Sequence, residues 1–413
     1  MTSARKMPEL LAPAGNMASL RAALHFGADA VYGGMREYGL RAFAGNFGAE
    51  ELREAVPLCH AAGKKFYVTL NVFPFEDQMD GFVAAARLAK DCGVDAAIVS
   101  DLGAIVTLRE QVPELPLHVS TQASTVNAAA VRHYQALGCS RVILAREVSL
   151  ERMRLMAENA PGMELETFVH GAACMAYSGR CLLSAAMTGR SGNQGACAQP
   201  CRWQYAVMEQ KRPGEYLPVS EDEHGTYIFS AKDLNLMPLL PELVAAGVAS
   251  LKIEGRMKTE YYVATVVGAY RRALDLLAEG ENAFWEALPA LMDELACASH
   301  RDSDTGFALG APSQPGGAEG FHQSREYVAQ AVEDSMPGQP ARFVLKNRFH
   351  AGDSLELMTP GGIIPVTAVP FLREKTGETL DTLGVAGELI RMPLNCRVRT
   401  GDLLRGPVRN HRT

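Results

Sequence analysis

Four cysteines, Cys174, Cys181, Cys197 and Cys201, fall within the stretch HGAACMAYSGRCLLSAAMTGRSGNQGACAQPC, which runs from His170 to Cys201. Thiols gathered this densely bind soft metals or iron–sulfide, and their spacing, C-x6-C-x15-C-x3-C, helps to choose between them. A structural zinc usually takes its ligands from two short C-x2-4-C knuckles, and only Cys197 with Cys201 comes near that pattern. Four thiolates around iron–sulfide carry net negative charge. Residues 171–208 contain no Asp or Glu, but they do contain Arg180, Arg190 and Arg202, which suits such a charge. Glycines at 171, 179, 189, 192 and 195 allow backbone N–H groups to approach sulfur. The reading is an iron–sulfur cluster of the 4Fe–4S type, held by Cys174, Cys181, Cys197 and Cys201. A zinc site and four unligated thiols stay open as alternatives. A Cys174–His170 nucleophile pair is also conceivable, but it leaves three neighbouring thiols unexplained. The other cysteines (Cys59, Cys92, Cys139, Cys297 and Cys396) are scattered singly, as in a reducing compartment, so the cytoplasm is the expected location.

The elements that must position these residues are legible as a repeat. Short β-like runs occur at 9–12, 30–33, 65–72, 96–100, 117–120, 141–145, 165–169 and 250–254. Most are separated by stretches with helical spacing of apolar residues. Gly27, Gly63, Gly93, Gly138 and Gly247 each stand just before the next run, where a helix would stop and turn the chain back. Eight strand–helix–glycine units predict a closed (β/α)8 barrel, an α/β fold in which chemistry sits on the loops after the strands. An open doubly wound sheet is the alternative, although no GxGxxG follows the first run. The cysteine segment follows the seventh run directly as an insertion over about 171–225, with His170 at its tip. A further apolar run at 227–230 then leads into a helix at about 236–246.

Other polar residues end apolar strands and should face the same mouth: Asn71, Gln122, Arg146 with Glu147, and Lys252, Glu254 and Arg256. Arg146 and Arg256 read as anion binders, because a guanidinium offers two donors to a carboxylate or phosphate. Lys252 and Glu254 could equally pair with each other. Residues 1–300 form the expected catalytic barrel. Residues 301–326, rich in Gly, Pro and polar residues, read as a linker, and 327–413 as a small β-barrel domain. Arg391, Arg397, Arg399, Arg405, Arg409 and Arg412, with Lys346, Arg348 and His350 upstream, make that domain locally basic. It therefore reads either as an RNA docking module or as an ordinary solvated surface.

With 413 residues, 47% apolar and 21% charged, the chain is large enough for more than one domain, and its net charge of −7 argues against a generally nucleic-acid-coated protein. No apolar run approaches the roughly 18 residues of a membrane span, and the first residues lack a signal-peptide core. There is no H-E-x-x-H, no G-x-S-x-G and no P-loop, so metalloprotease, hydrolase and NTPase readings lack support.

The stretch ETFVHGAACMAYSGRCLLS (166–184) resembles the signature of the collagenase-like peptidase family, family U32. The likeness runs from ELLAPAG (9–15) through SLKIEGR (250–256). NQGACAQPCRWQY (193–205), EDEHGTYIF (221–229) and KNRFHAGDSLELMTP (346–360) resemble the tRNA-hydroxylating branch of that family. The resemblance implies oxygen-independent hydroxylation of tRNA wobble uridine at C5, with prephenate as hydroxyl source. It also implies an iron–sulfur cluster on cysteines matching Cys174, Cys181, Cys197 and Cys201. Some branches carry a cysteine just after K-D-L, whereas here Lys232-Asp233-Leu234 is followed by Asn235. Cys201 is then the natural fourth ligand, and a three-cysteine cluster with an open iron is the alternative. For such a substrate, Arg146, Arg180, Arg190, Arg202 and Arg256 would clamp the dicarboxylate, and Tyr177 and Trp203 would stack on the base. The other readings are hydroxylation of a ribosomal RNA cytidine or a ubiquinone precursor, a cysteine peptidase, and a zinc-containing RNA-binding protein.

Overall fold

The computed structural model describes residues 7–39, 45–174, 176–178, 181–203, 220–222, 225–227, 232–310 and 321–409. Its first part alternates strand and helix: β1 (Glu9–Ala14), α1 (Met17–His25), β2 (Ala30–Gly34), α2 (Ala49–Ala61), β3 (Lys65–Leu70), α3 (Met79–Asp91), β4 (Ala96–Val99) and α4 (Leu102–Gln111). The alternation continues through β5 (Leu117–Val119), α5 (Ala128–Ala136), β6 (Arg141–Ile143), α6 (Leu150–Asn159) and β7 (Glu164–Ala172). The insertion holds α7 (Leu183–Thr188) and the hairpin of β8 (Ser220–Asp222) and β9 (Gly225–Tyr227). Then come β10 (Asp233–Asn235), α8 (Leu240–Ala245), β11 (Ser250–Ile253), α9 (Glu260–Glu279) and α10 (Glu281–Leu295).

Strands β1 to β7 and β11 pair in parallel, each with its neighbour, and β11 pairs with both β1 and β7. The eight-stranded barrel is therefore closed. The glycine signals hold at the backbone level: Gly27, Gly63, Gly93, Gly138 and Gly247 have φ of +97°, +67°, +82°, +81° and +79°. An L side chain is disfavoured there, so glycine ends each helix and returns the chain to the next strand. At the opposite ends of the helices, Asn16, Asp101 and Asn127 accept hydrogen bonds from Ser19 N (2.9 Å), Ala104 N (2.8 Å) and Ala130 N (2.9 Å). These caps satisfy first-turn donors and fix where the mouth-side loops end.

Three details depart from the sequence reading. The run at 227–230 contributes only its first residue to a described strand, and the rest lies outside the described residues. In its place β10 extends the sheet antiparallel to β7. The helix expected at about 236–246 is shorter, a 3-10 turn at Met237–Leu239 leading into α8, because Pro238 and Pro241 restrict its start. The described part of the expected linker is also ordered. β12 (Ser303–Asp304) pairs with β10, and Arg301 Nη2 donates to Asp233 Oδ1 at 2.6 Å, a buried ion pair that holds the segment against the barrel.

The C-terminal part comprises β13 (Arg325–Ala331), β14 (Pro340–Leu345), β15 (Phe349–His350), β16 (Ser354–Thr359) and β17 (Gly362–Thr367). It continues with β18 (Phe371–Arg373), β19 (Glu378–Leu380), β20 (Thr382–Leu383), β21 (Leu389–Pro393) and β22 (Leu403–Pro407). Eight of these strands form one antiparallel sheet, ordered β17-β16-β22-β13-β14-β21-β18-β19, on an apolar cluster of its own. The sheet is joined firmly to the barrel. Met358 and Leu403 belong to the barrel's core, Tyr327 stacks on Tyr261 at 5.5 Å, and Arg405 donates to both carboxylate oxygens of Glu294 at 2.8 and 2.7 Å.

Candidate functional site

A cavity of about 140 Å³ opens at the C-terminal end of the barrel strands, and all four clustered cysteines line it. Cys174, Cys181 and Cys197 are exposed and Cys201 is half-buried. Among the described residues, no group of three or more His, Cys, Asp or Glu is placed to hold a metal ion. Four thiols on one cavity are nevertheless the type of donor set that an iron–sulfur cluster takes. Gln199 N–H donates to Cys197 Sγ at 3.4 Å, the kind of bond that stabilises a ligating thiolate.

The insertion is held in place from within and from the barrel. Buried Ser184 donates through Oγ to Arg190 O at 2.7 Å and accepts from Ala198 N at 2.9 Å, joining α7 to the segment that carries Cys197. Gln194 Nε2 donates to Phe73 O, and Phe73 N approaches Asn193 O at 3.5 Å, tying the insertion to the loop after β3. Arg146 Nη1 donates to Ser178 Oγ at 2.8 Å while its guanidinium lies over the Phe168 ring at 3.9 Å.

Of the polar strand-end residues, Asn71, Gln122, Arg146, Lys252, Glu254 and Arg256 all line the cavity, as does Tyr177. Arg256 Nη1 donates to Thr69 Oγ1 at 3.0 Å, and a Cβ at Gly34 would lie 2.1 Å from that nitrogen, so only glycine leaves room for the guanidinium. Ser100 Oγ is within hydrogen-bond distance of Gln122 Oε1 (2.9 Å) and Asn71 O (3.0 Å). Lys252 is buried. Its Nζ donates to Glu166 Oε1 at 3.0 Å and sits over the Tyr32 ring at 4.2 Å. Burial draws its pKa below the usual lysine value, and the Glu166 carboxylate opposes that shift.

Other predicted site residues lie elsewhere. His170, expected at the mouth, is buried between β7 and α9 against Tyr262 and Tyr270, with ring centroids 6.2 and 5.6 Å away, and does not line the cavity. A register shift opposite Lys252 and Ile253 interrupts the regular β7–β11 pairing at this point. Burial pushes the His170 pKa down to about 4. Arg190 Nε donates to Ala196 O at 3.0 Å within the insertion, and neither it nor exposed Trp203 lines the cavity. Arg180 and the side chain of Arg202 lie outside the described residues.

Sequence reasoning missed the residues beneath the cavity. Arg141 Nη1 donates to Glu9 Oε1 (2.6 Å) and Glu166 Oε2 (3.0 Å), its Nη2 donates to Glu164 Oε2 (2.7 Å), and Tyr67 Oη donates to Glu9 Oε2 (2.8 Å). The only signal was their alternation with apolar residues on β1, β3, β6 and β7. Of the basic C-terminal residues, read either as an RNA docking module or as an ordinary solvated surface, four carry ion pairs: Arg391 with Glu333 and Glu374, Arg405 with Glu294 and Glu356, Arg409 with Asp353, and Lys346 with Glu260. Arg412 lies outside the described residues.

Two family models match the chain: peptidase family U32 over residues 15–317 and the peptidase family U32 C-terminal domain over residues 323–405. The chain is similar to tRNA hydroxylation protein P of Escherichia coli, with 38% identity over 94% of each chain. It is similar to tRNA hydroxylation protein P1 of Bacillus subtilis, with 37% identity over 97% of this chain and 95% of the relative. A 23S rRNA 5-hydroxycytidine C2501 synthase of Escherichia coli is 39% identical over 68% of this chain and 41% of its own length.

Proposed function

The chain belongs to peptidase family U32, and from that premise we propose that it is a tRNA-modifying enzyme that hydroxylates a pyrimidine at the barrel mouth. The finer reading is C5-hydroxylation of the wobble uridine, with prephenate as hydroxyl source and a 4Fe–4S cluster on Cys174, Cys181, Cys197 and Cys201. The observation that carries it is the convergence of four thiols, two arginines and three side-chain amides on one cavity above a closed barrel. Similarity over both parts of the chain to proteins named for tRNA hydroxylation favours tRNA over ribosomal RNA.

The chain's own residues suit these ligands. A bound cluster would supply a redox-active, electrophilic metal centre on the cavity wall. Arg146 and Arg256 are held by Ser178 and Thr69 and can present cationic donors to a dicarboxylate without being reoriented. With Gln122 Oε1 beside Ser100 Oγ, the amide nitrogen is the end left for a pyrimidine carbonyl. Lys252, held by Glu166, places positive charge at the cavity base. An anticodon loop is already single-stranded, which lowers the cost of delivering one base into so small a cavity. The Cys174–His170 pair that a peptidase reading would use is not brought together on the cavity, because Cys174 lines it and His170 does not.

The test is nucleoside mass spectrometry of tRNA from a strain lacking this gene and any parallel oxygen-dependent route. Loss of 5-hydroxyuridine derivatives, restored by the wild-type chain, is the expected result. Their persistence would overturn the reading.

A further inference from the structure

Hydroxylation of a ring carbon releases the proton that the carbon carried, so the cavity needs a group that can take it. Among the described residues that line the cavity, few can do so. The four thiols belong to the cluster in the reading above, and Arg146 and Arg256 stay charged at any working pH. Tyr32 Oη donates to Ile253 O at 2.9 Å, and Tyr177 stands 45% exposed to solvent. Lys252 and Glu254 remain, the first 4% exposed and the second half-buried.

Lys252 is placed to pass between ammonium and amine. Its Nζ donates to Glu166 Oε1 at 3.0 Å, but Glu166 Oε2 accepts from Arg141 Nη1 at 3.0 Å, so two cations share one carboxylate. Glu166 and Glu254 favour the ammonium, and Arg141 disfavours it. Burial outweighs both carboxylates and draws the lysine pKa below its usual value. Buried His118 on β5 adds no charge, because its own burial and the nearby Arg141 and Lys252 hold it neutral. The Tyr32 and Phe168 rings lie 4.2 and 5.5 Å from Nζ and stabilise the ammonium once it has formed. The ammonium is the resting form, and above its lowered pKa the side chain is a neutral amine on the cavity wall. Burial of this kind is how a lysine becomes a base near neutral pH.

We propose that Lys252 is the base that takes the C5 proton of the target pyrimidine, with Glu166 as the residue that positions its amine. This inference rests on the RNA-hydroxylation reading above and assigns one proton within it. In the net reaction the ring exchanges C5–H for C5–OH, and the hydroxyl donor, an alcohol R–OH, ends as R–H. The donor accepts the two electrons that the ring loses. The C5–H electron pair stays in the ring and restores the C5–C6 double bond. The proton moves to neutral Nζ and passes afterwards to the reduced donor.

The test uses anaerobically purified, cluster-loaded full-length protein, prephenate as donor, and an anticodon stem–loop with uridine or 5-deuterated uridine at the target position. The single-turnover rate should rise with pH as Lys252 loses its proton. Glu166→Gln should move that rise to lower pH, because loss of the carboxylate favours the neutral amine. Lys252→Arg keeps the charge beside Glu166 but cannot take a proton. Its rate should fall about a hundredfold or more, with melting temperature and iron content near wild type. The deuterated substrate should then react more slowly than the protiated one, because proton removal limits the rate. In Lys252→Ala, added methylamine should restore part of the rate, and more of it at higher pH. Wild-type rate in Lys252→Arg would make Lys252 a structural cation and overturn the proposal. Loss of rate with neither an isotope effect nor amine rescue would overturn it too. An isotope effect in Glu254→Gln and not in Lys252→Arg would give the proton to Glu254, with the same consequence. No hydroxylation by the loaded wild type would overturn the RNA-hydroxylation reading itself and this inference with it.

Discussion

The floor and the mouth of this barrel are built from the same repeating unit, yet they solve opposite problems. At the floor, charges are matched: Arg141 meets Glu9, Glu164 and Glu166 within hydrogen-bond distance, and glycine closes helix after helix. At the mouth, charge, sulfur and apolar surface are directed towards a space and the solvent around it. The two ends meet at Glu166, which bonds to Arg141 below and to cavity-lining Lys252 above. The difference matches the division expected of (β/α)8 barrels, in which the floor holds the fold and the mouth is left to carry chemistry.

The largest effect should come from breaking the floor. Arg141→Met leaves buried Glu166 and Glu9 without their shared cation and should lower unfolding free energy by about 3–5 kcal/mol, measured by denaturant titration. A stability near wild type would mean that the network does not anchor the fold. Next is the buried ring behind the mouth. His170 is held neutral by burial, with its pKa down at about 4, while Asp233 opposes the shift and His300 and Lys258 reinforce it; Tyr262 and Tyr270 pack on its faces. The unfolded chain takes up this proton near pH 6.5, so the stability is intact above that pH and is lost as pH falls towards 4. The loss is on the order of 3 kcal/mol across the window. His170→Phe should flatten that part of the pH–stability curve, and an unchanged slope would assign the acid sensitivity to other groups.

At the mouth, Arg146→Lys keeps the charge but loses the planar guanidinium over Phe168 and its bond to Ser178. Hydroxylation should fall by about tenfold or more while melting changes little, because a lysine cannot reproduce a bidentate donor. Equal losses of activity and stability would make Arg146 a brace for the insertion alone. The smallest effect belongs to the C-terminal sheet. Arg391→Gln, removing a partly exposed pair with Glu333 and Glu374, should cost no more than about 1 kcal/mol and leave RNA affinity unchanged. A clear loss of RNA affinity would restore the docking role suggested by the sequence.

The barrel was legible because its signals are local. Apolar runs mark the strands, and glycines such as Gly93 and Gly138 mark positive-φ turns that few other residues can make. The mouth was legible in part, since Asn71, Gln122, Arg146 and Arg256 end strands and the cysteines cluster in sequence. The floor was not, because Glu9 meets Arg141 across 132 positions and nothing near either residue announces the partner. Arg301 and Arg405 were hidden for the same reason. Each looked like a solvated charge, in a linker or a tail, until folding set it against Asp233 or Glu294. His170 shows the reverse error, because proximity to Cys174 in sequence suggested a shared site that the local geometry separates.

The central claim is that the four thiols at the mouth together hold an iron–sulfur cluster. Its most direct test is iron and acid-labile sulfide content in anaerobically purified wild-type protein and in Cys197→Ala, with Cys59→Ala as the buried control. About four irons and four sulfides per chain in the wild type, lost in Cys197→Ala and retained in Cys59→Ala, is the predicted result. Zinc without sulfide, or iron undiminished in Cys197→Ala, would contradict it.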